Sequence, residues 1–282
     1  VAMLRKIFTL ILIVMGLQTY AYALNNNEED KNMTRTEICI NNFRELFKGE
    51  ALTNAGDHSE MMAILQKYIF GEVFTIGELN FKQREMITVT SLTVQQTLPQ
   101  LKAHINAALN VGVTPIELRE TIYQCAPFIG FPKTLNALVI LNETFKERGI
   151  KTPLKSTATV EENERYEKGF AIQNPLYGDE IEKALSGLPD DMGKDVSGFL
   201  TEVCFGDFYT RSGLDIKTRE LLVISILVTT GNTNTLKSHI EGNLKVGNTK
   251  EDITAAIIQC MPYVGFPNTI SALKAAKEVF SK

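Results

Sequence analysis

The nine residues QCAPFIGFP, Gln124 to Pro132, return as QCMPYVGFP, Gln259 to Pro267, 135 positions later. Pairing each residue with the one 135 positions on needs no gap from Phe70 to Phe145. The pairs include Phe70/Phe205, Gly71/Gly206, Arg84/Arg219, Glu85/Glu220, His104/His239 and Gly112/Gly247. A period this long marks a duplicated domain, because solenoid repeats run at about 20–50 residues. Two copies of one unit are therefore expected, the first over 35–148 and the second over 161–282. Between them GIKTPLKSTATV, 149–160, is polar with one proline and reads as a linker. The chain has 282 residues, enough for two domains of ordinary size. Each copy is large enough to bury a core without staples.

Within each copy the pattern is helical, so the fold class is all-α. FKQREMITVTSLTVQQ and IKTRELLVISILVTTG are mostly apolar and long enough for core helices, although their Thr and Val content also suits strands. LPQLKAHINAALNVG sets Leu98, Leu101, Ile105, Ala108 and Leu109 on one helical face and closes on Gly112. Thr114, Pro115 and Glu117 form a capping box with proline at the first helical position; Thr249 and Asp252 repeat it. In the repeated nonapeptide, Pro127 ends or kinks a helix, Gly130 takes a turn, and Pro132 starts the next helix. It reads as a helix–turn–helix corner whose aromatic, Phe128 or Tyr263, packs inward, with no chemistry of its own.

The first residues are set apart. Arg5 and Lys6 precede the apolar run IFTLILIVMGL, and Ala21 and Ala23 make a small-x-small site. This reads as a signal peptide over 1–23, with export to a periplasm or secretion. The run is shorter than the ~20 residues a spanning helix needs, so no membrane span is expected after cleavage. The whole chain has the 44% hydrophobic and 22% charged residues of a globular protein. A net charge of −4 with no basic run argues against nucleic acid as a partner. Cys39, Cys125, Cys204 and Cys260 could pair in an exported protein, but no close pair or metal-type spacing is present. Cys125 and Cys260 read as small buried hydrophobes. No metal and no cofactor is expected.

The run from Gly206 to Ala276, GDFYTRSGLDIKTRE through LKSHIEGNLKVGNT to MPYVGFPNTISALKAA, resembles the carboxymuconolactone decarboxylase family. Its signature orders Gly-x-aromatic, Gly-Leu-Asp, Arg-Glu, Leu-Lys-x-His, Gly-x-Thr and aromatic-x-Gly-x-Pro. The likeness covers the second copy and, from about Phe70, most of the first. The resemblance implies an all-helical unit that assembles into homo-oligomeric rings; a tandem copy would stand for two subunits, giving a ring of fewer chains, such as a trimer. One branch of that family, the alkylhydroperoxidase D type, carries Cys-x-x-Cys ahead of a histidine. Here Thr97 and Gln100, or Asn232 and Thr235, stand where those cysteines would be, and thiol exchange needs a thiolate. An antioxidant, peroxiredoxin-like activity is disfavoured on that ground.

Glu85 and Glu220, each 19 residues before its histidine, match the family's glutamate. The resemblance thus implies Glu85, His104, Glu220 and His239 as acid–base residues, with Arg84, Arg211 and Arg219 binding a substrate carboxylate. The implied function is a cofactor-free lyase on a small carboxylated lactone. The alternative of another class is a non-catalytic oligomeric protein that binds a small ligand. Structural readings stand beside these: Arg84–Glu85 and Arg219–Glu220 as ion pairs at an interface, and the histidines as satisfied core residues. His58 reads as a surface residue. In a simple hairpin Glu85 and His104 would sit roughly 7–8 Å apart along the axis, so a water or a subunit contact would have to join them. Copy two keeps Thr210-Arg211 and Gly213, where copy one has Thr75-Ile76 and Glu78. If Arg211 binds substrate, only the second copy is active.

Overall fold

The computed structural model describes residues 33–282, and the expected signal peptide at 1–23 lies outside the described residues. Those residues are helical throughout, with no strand among them. The first repeat comprises α1 (Arg35–Phe47), α2 (Ser59–Gly71), α3 (Phe81–Gln95), α4 (Leu98–Asn110), α5 (Pro115–Tyr123), the single turn α6 (Ala126–Ile129) and α7 (Phe131–Glu147). The second comprises α8 (Arg165–Tyr177), α9 (Glu180–Ala184), α10 (Met192–Phe199), α11 (Ile216–Thr230), α12 (Thr233–Lys245), α13 (Lys250–Val264) and α14 (Phe266–Phe280). Among the described residues, no helix is long and apolar enough to cross a membrane.

The helix-or-strand question at FKQREMITVTSLTVQQ resolves as helix. Every residue of α3 from Arg84 to Val94 is buried, as is every residue of α11 from Arg219 to Val228. A helix wrapped on all sides needs no polar stripe. Its hydroxyls turn back on their own backbone: Thr90 donates to the Met86 carbonyl and Thr229 to that of Ser225. The two central helices pack against each other, with Ser91 Oγ and Ser225 Oγ 3.4 Å apart. One continuous apolar core runs from Leu79 through Val279, so the repeats share a core instead of building two.

The capping boxes at Thr114/Glu117 and Thr249/Asp252 are both formed. Gly130 and Gly265 both have φ of 82°, with ψ of 159° and 165°, a combination open in practice only to glycine. The proline rule holds in one copy only. Pro127 follows the end of α5 and starts the short α6, whereas α13 runs through Pro262 to Val264. The linker is no free tether: Ser212 N donates to the Thr157 carbonyl, Arg119 donates to the carbonyls of Leu154 and Lys155, and Thr157 is buried.

Two glycines fix how each repeat closes. A Cβ at Gly71 would overlap the carbonyl oxygen of Arg35, and one at Gly206 would overlap that of Arg165. These contacts also set the register of the first helices, where Arg35 matches Arg165 at an offset of 130 and no longer 135. Replacing Gly71 with Ala is expected to destabilise the protein by about 1–3 kcal/mol, because backbone must move to admit the methyl. A urea midpoint equal to that of the unsubstituted chain would refute the close approach.

Candidate functional site

In each repeat a glutamate on the central helix meets a histidine on the next. Glu85, on α3, has Oε2 2.8 Å from His104 Nδ1, on α4. Glu220, on α11, has Oε2 3.2 Å from His239 Nδ1, on α12. The axial gap foreseen for an ideal hairpin is closed by the two side chains themselves, within one chain. Both carboxylates are fully buried, while the histidine side chains keep 9% and 12% exposure, enough to reach a cavity. Arg84 and Glu85 do not pair with each other, and neither do Arg219 and Glu220.

Each histidine lines a cavity. His239 opens on a space of about 410 Å³ with Phe205, Tyr177, Cys204 and Leu200 on its walls. His104 opens on about 530 Å³ walled by Phe43, Phe47, Ile69 and Leu92. The repeated corner, which the sequence marks as architecture alone, completes both spaces in exchange. Pro127 and Phe128 of the first repeat line the second cavity, and Pro262 and Tyr263 of the second line the first. Phe128 sits 5.6 Å from the His239 ring and Tyr263 5.7 Å from the His104 ring, centroid to centroid, both edge-on. The corner glutamines serve the same exchange: Arg84 donates to Gln259 Oε1 at 3.0 Å and Arg219 to Gln124 Oε1 at 2.9 Å. At the corners the repeats thus meet as the halves of a symmetric dimer do, these contacts being answered by their counterparts.

The two sites differ in their hydroxyls. Around Glu220, the Tyr177 hydroxyl donates to Oε2 at 2.6 Å and the Tyr209 hydroxyl to Oε1 at 2.8 Å. Tyr177 Oη also lies 2.7 Å from His239 Nδ1. A phenol has one proton; given to Glu220, its oxygen accepts from Nδ1–H, and Nε2 remains clear of these partners. Burial first, then the Glu220 charge, holds both tyrosines well above the ordinary phenol value, so both stay donors. In the first repeat Phe47 and Phe74 occupy the matching places, and Glu85 Oε1 has no partner. Tyr209 ends a wide π-type turn, Leu200–Tyr209, where the first repeat has ordinary helix and a 3₁₀ turn. The Phe74/Tyr209 difference is visible at the 135 offset; Phe47/Tyr177 is hidden because the register shifts in the first helix.

The expected substrate-binding arginines lie elsewhere, a correction with a plain reason. Arg84 spends its guanidinium on the carbonyls of Leu79, Ile76 and Gly77 besides Gln259. Arg219 donates to Glu120, Gln124 and the Arg211 carbonyl, and Arg211 donates to Glu120 and Thr157. All three hold the repeats and linker together, and none lines either cavity. His58 is exposed, as expected. The four cysteines are free and buried, and burial pushes Cys125 and Cys204 far up and Cys260 up to about 11. Cys204 borders the second cavity beside His239, and there the Glu220 charge adds to its burial in disfavouring a thiolate. Among the described residues no three His, Cys, Asp or Glu side chains converge as metal ligands.

Comparison with known proteins gives this geometry a lineage. The 4-carboxymuconolactone decarboxylase of Acinetobacter baylyi is 28% identical over 120 residues, 42% of this chain and 89% of that protein. The nitrosuccinic acid decarboxylase npaB of Metarhizium robertsii is 27% identical over 84 residues, 30% of this chain and 59% of that protein. An uncharacterised 15.0 kDa protein of Paracoccus denitrificans, from the nqo9-nqo10 intergenic region, is 38% identical over 80 residues, 28% of this chain and 60% of that protein. The model of the carboxymuconolactone decarboxylase family matches twice, over residues 59–143 and 194–278, one match on each repeat and more than half of the chain together. The chain belongs to the carboxymuconolactone decarboxylase family, as a tandem pair in one polypeptide.

Proposed function

We propose that the second cavity decarboxylates a small carboxylated lactone, or a related short acid, using its own acid–base groups. The observation that carries this reading is the Glu220–Tyr177–His239 relay on the wall of an apolar cavity. Two of the relatives are decarboxylases by name, which supports the same class of reaction.

In such a reaction the bond between carbon and carboxylate breaks, CO2 leaves, and the electron pair enters the conjugated acceptor, a lactone carbonyl giving an enolate or a nitro group giving a nitronate. A proton must then reach carbon. His239, charged, delivers its Nε2 proton there and regains one from water; histidine suits this because its charge changes near neutral pH. Glu220 stabilises the charged ring, and Tyr177 couples the two groups at 2.6 and 2.7 Å. Phe128, Phe205, Ile181 and Leu200 strip water from a bound carboxylate while costing neutral CO2 nothing.

The test is to incubate the protein with 4-carboxymuconolactone and, separately, nitrosuccinate, and to follow CO2 release. Release from either substrate above the rate of a His239→Gln control supports the reading. No release from both, at enzyme concentrations comparable to substrate, would overturn these two substrates and the lyase assignment with them.

Export and ring assembly belong to the same proposal. The leader Arg5 to Ala23 supports export, to be read by N-terminal sequencing of the cell-fractionated protein. Exposed apolar side chains support assembly, among them Met61, Ile64, Phe131, Leu135, Val196, Phe199, Phe266 and Ile270. A single monomeric boundary in sedimentation would refute the ring.

A further inference from the structure

Two side-chain donors on the wall of the second cavity have no partner among the described residues. Gln173, on α8 one turn before Tyr177, lines that space and is only 5% exposed. Its Oε1 lies 2.6 Å from Thr201 Oγ1, a separation that suits O–H···O and is short for N–H···O. The carbonyl end of the amide therefore faces Thr201, and the Nε2 end is the free one. Nε2 is bonded to no protein group, yet it is not sealed off. Ser238, half-buried on α12 beside His239, lines the same space. Thr90 and Thr229 bond back to their own helices, but Ser238 Oγ makes no such bond, and it too is unsealed. A free donor on the wall of a cavity is placed to meet the acceptor of whatever occupies it.

The surroundings say which acceptor that is. No Arg or Lys lines this cavity, and its one acidic lining residue, Glu180, is exposed at the start of α9. Negative charge that develops on a substrate oxygen here meets no fixed cation. It falls to His239, when charged, and to neutral donors. Such donors stabilise an oxyanion well in an apolar space, because they are in place before the charge appears. Thr201 holds Gln173, and the helix holds Ser238 next to the group that delivers the proton. The arrangement belongs to the second repeat. Phe43 stands for Gln173, at the offset of 130 that also pairs Phe47 with Tyr177, and Ala103 stands for Ser238. The first cavity has a buried glutamine of its own, but Gln66 stands at the place of Thr201, on a different helix.

We propose that Gln173 Nε2 and Ser238 Oγ hold the substrate oxygen that takes up the electron pair as CO2 leaves. This rests on the decarboxylation proposed for the second cavity and adds the groups that receive the charge. The bond from carbon to carboxylate breaks, and its electron pair moves into the conjugated C=O or N=O. The oxygen of the resulting enolate or nitronate accepts from both donors, which keep their own protons, and His239 returns a proton to carbon. The site therefore takes acids in which the carbon that loses CO2 is conjugated with a carbonyl or nitro oxygen.

The test reads binding apart from turnover. Tetronate, a five-membered lactone whose enol is ionised at neutral pH, is titrated into the full chain by NMR beside its uncharged relative γ-butyrolactone. Gln173→Met is expected to weaken tetronate by at least about tenfold and γ-butyrolactone by less, because hydrogen bonds to a charged oxygen are about twice as strong. Thr201 keeps its bond to the Ser197 carbonyl in that variant. Ser238→Ala should act in the same direction, and alanine already stands at the matching place, Ala103, in the first repeat. If Gln173→Met does not fold, Ser238→Ala decides. With a substrate that releases CO2, Gln173→Met should lower kcat about 10²-fold with little change in KM, as loss of an oxyanion donor does. Unchanged tetronate affinity in both variants, equal weakening of the two probes, or no binding at millimolar tetronate would each overturn the proposal, even where CO2 release stands. The expected tetronate losses without CO2 release from either substrate would support the donor pair and overturn the lyase reading, so the two fail separately.

Discussion

His239→Gln is expected to lower CO2 release by about 10²–10⁴-fold, the usual contribution of a positioned general acid or base. Glutamine keeps a donor near Tyr177 but cannot exchange a proton at neutral pH. Because the loss is of proton delivery and not of shape, kcat should fall with little change in KM. His58→Gln, on the exposed surface ahead of α2, serves as the control for any general effect of losing a histidine. Tyr177→Phe should fall between the two, since Glu220 and His239 stay within 3.2 Å of each other without the phenol. A loss of equal size in His104→Gln, with His239→Gln near full rate, would place the chemistry in the first cavity and sink the assignment.

Glu120→Ala is expected to cost about 3–5 kcal/mol of stability, because it strands buried cations. Glu120 is fully buried on α5. Its carboxylate accepts from Arg211 at 2.8 and 3.1 Å, from Arg219 at 3.3 Å, from Arg119 at 3.1 and 3.2 Å, and from Thr157 at 2.7 Å. Arg219 is itself fully buried, so removing the carboxylate leaves a cation with no opposite charge. The matching residue of the second repeat is Ala255, so no counterpart shares the load.

Burial opposes ionisation of Glu120, but hydrogen bonds from Arg211 and Thr157 and the charges of Arg211 and Arg219 outweigh it and hold its carboxyl below the usual range. A depressed folded-state pKa makes a stabilisation that is complete above the unfolded value, about 4.3 for glutamate, and lost as pH falls through the folded value. Urea denaturation at pH 7 measures the cost of the substitution. Repeating it toward pH 3 should show the gap between the two proteins narrowing. A cost under about 1 kcal/mol at pH 7 would show the cluster to be no stronger than a surface pair.

Much of the architecture is legible in the letters. The repeat shows as an ungapped match, the corner glycines show through their neighbouring prolines, and the capping boxes show as Thr-x-x-Glu and Thr-x-x-Asp. Such features depend on residues within one turn of each other, where backbone geometry leaves few alternatives. The Glu–His pairs also follow from a family signature. What fails is the assignment of Arg84, Arg211 and Arg219 to substrate. Arginine beside a glutamate of the family signature reads as a ligand-binding group until one knows that buried carbonyls and Glu120 already use its donors.

The sequence alone determined that this protein is two copies of one helical unit, each with a glutamate 19 residues ahead of a histidine. Only the tertiary structure decided which copy carries the tyrosine relay and that each corner completes the other copy's cavity. The reason is one of distance along the chain. Helix and turn preferences act over a few residues and leave a periodic trace, whereas Tyr177 meets Glu220 across 43 positions and Gln259 meets Arg84 across 175. Contacts of that span are selected by how packed helices share one core, and no local pattern records them.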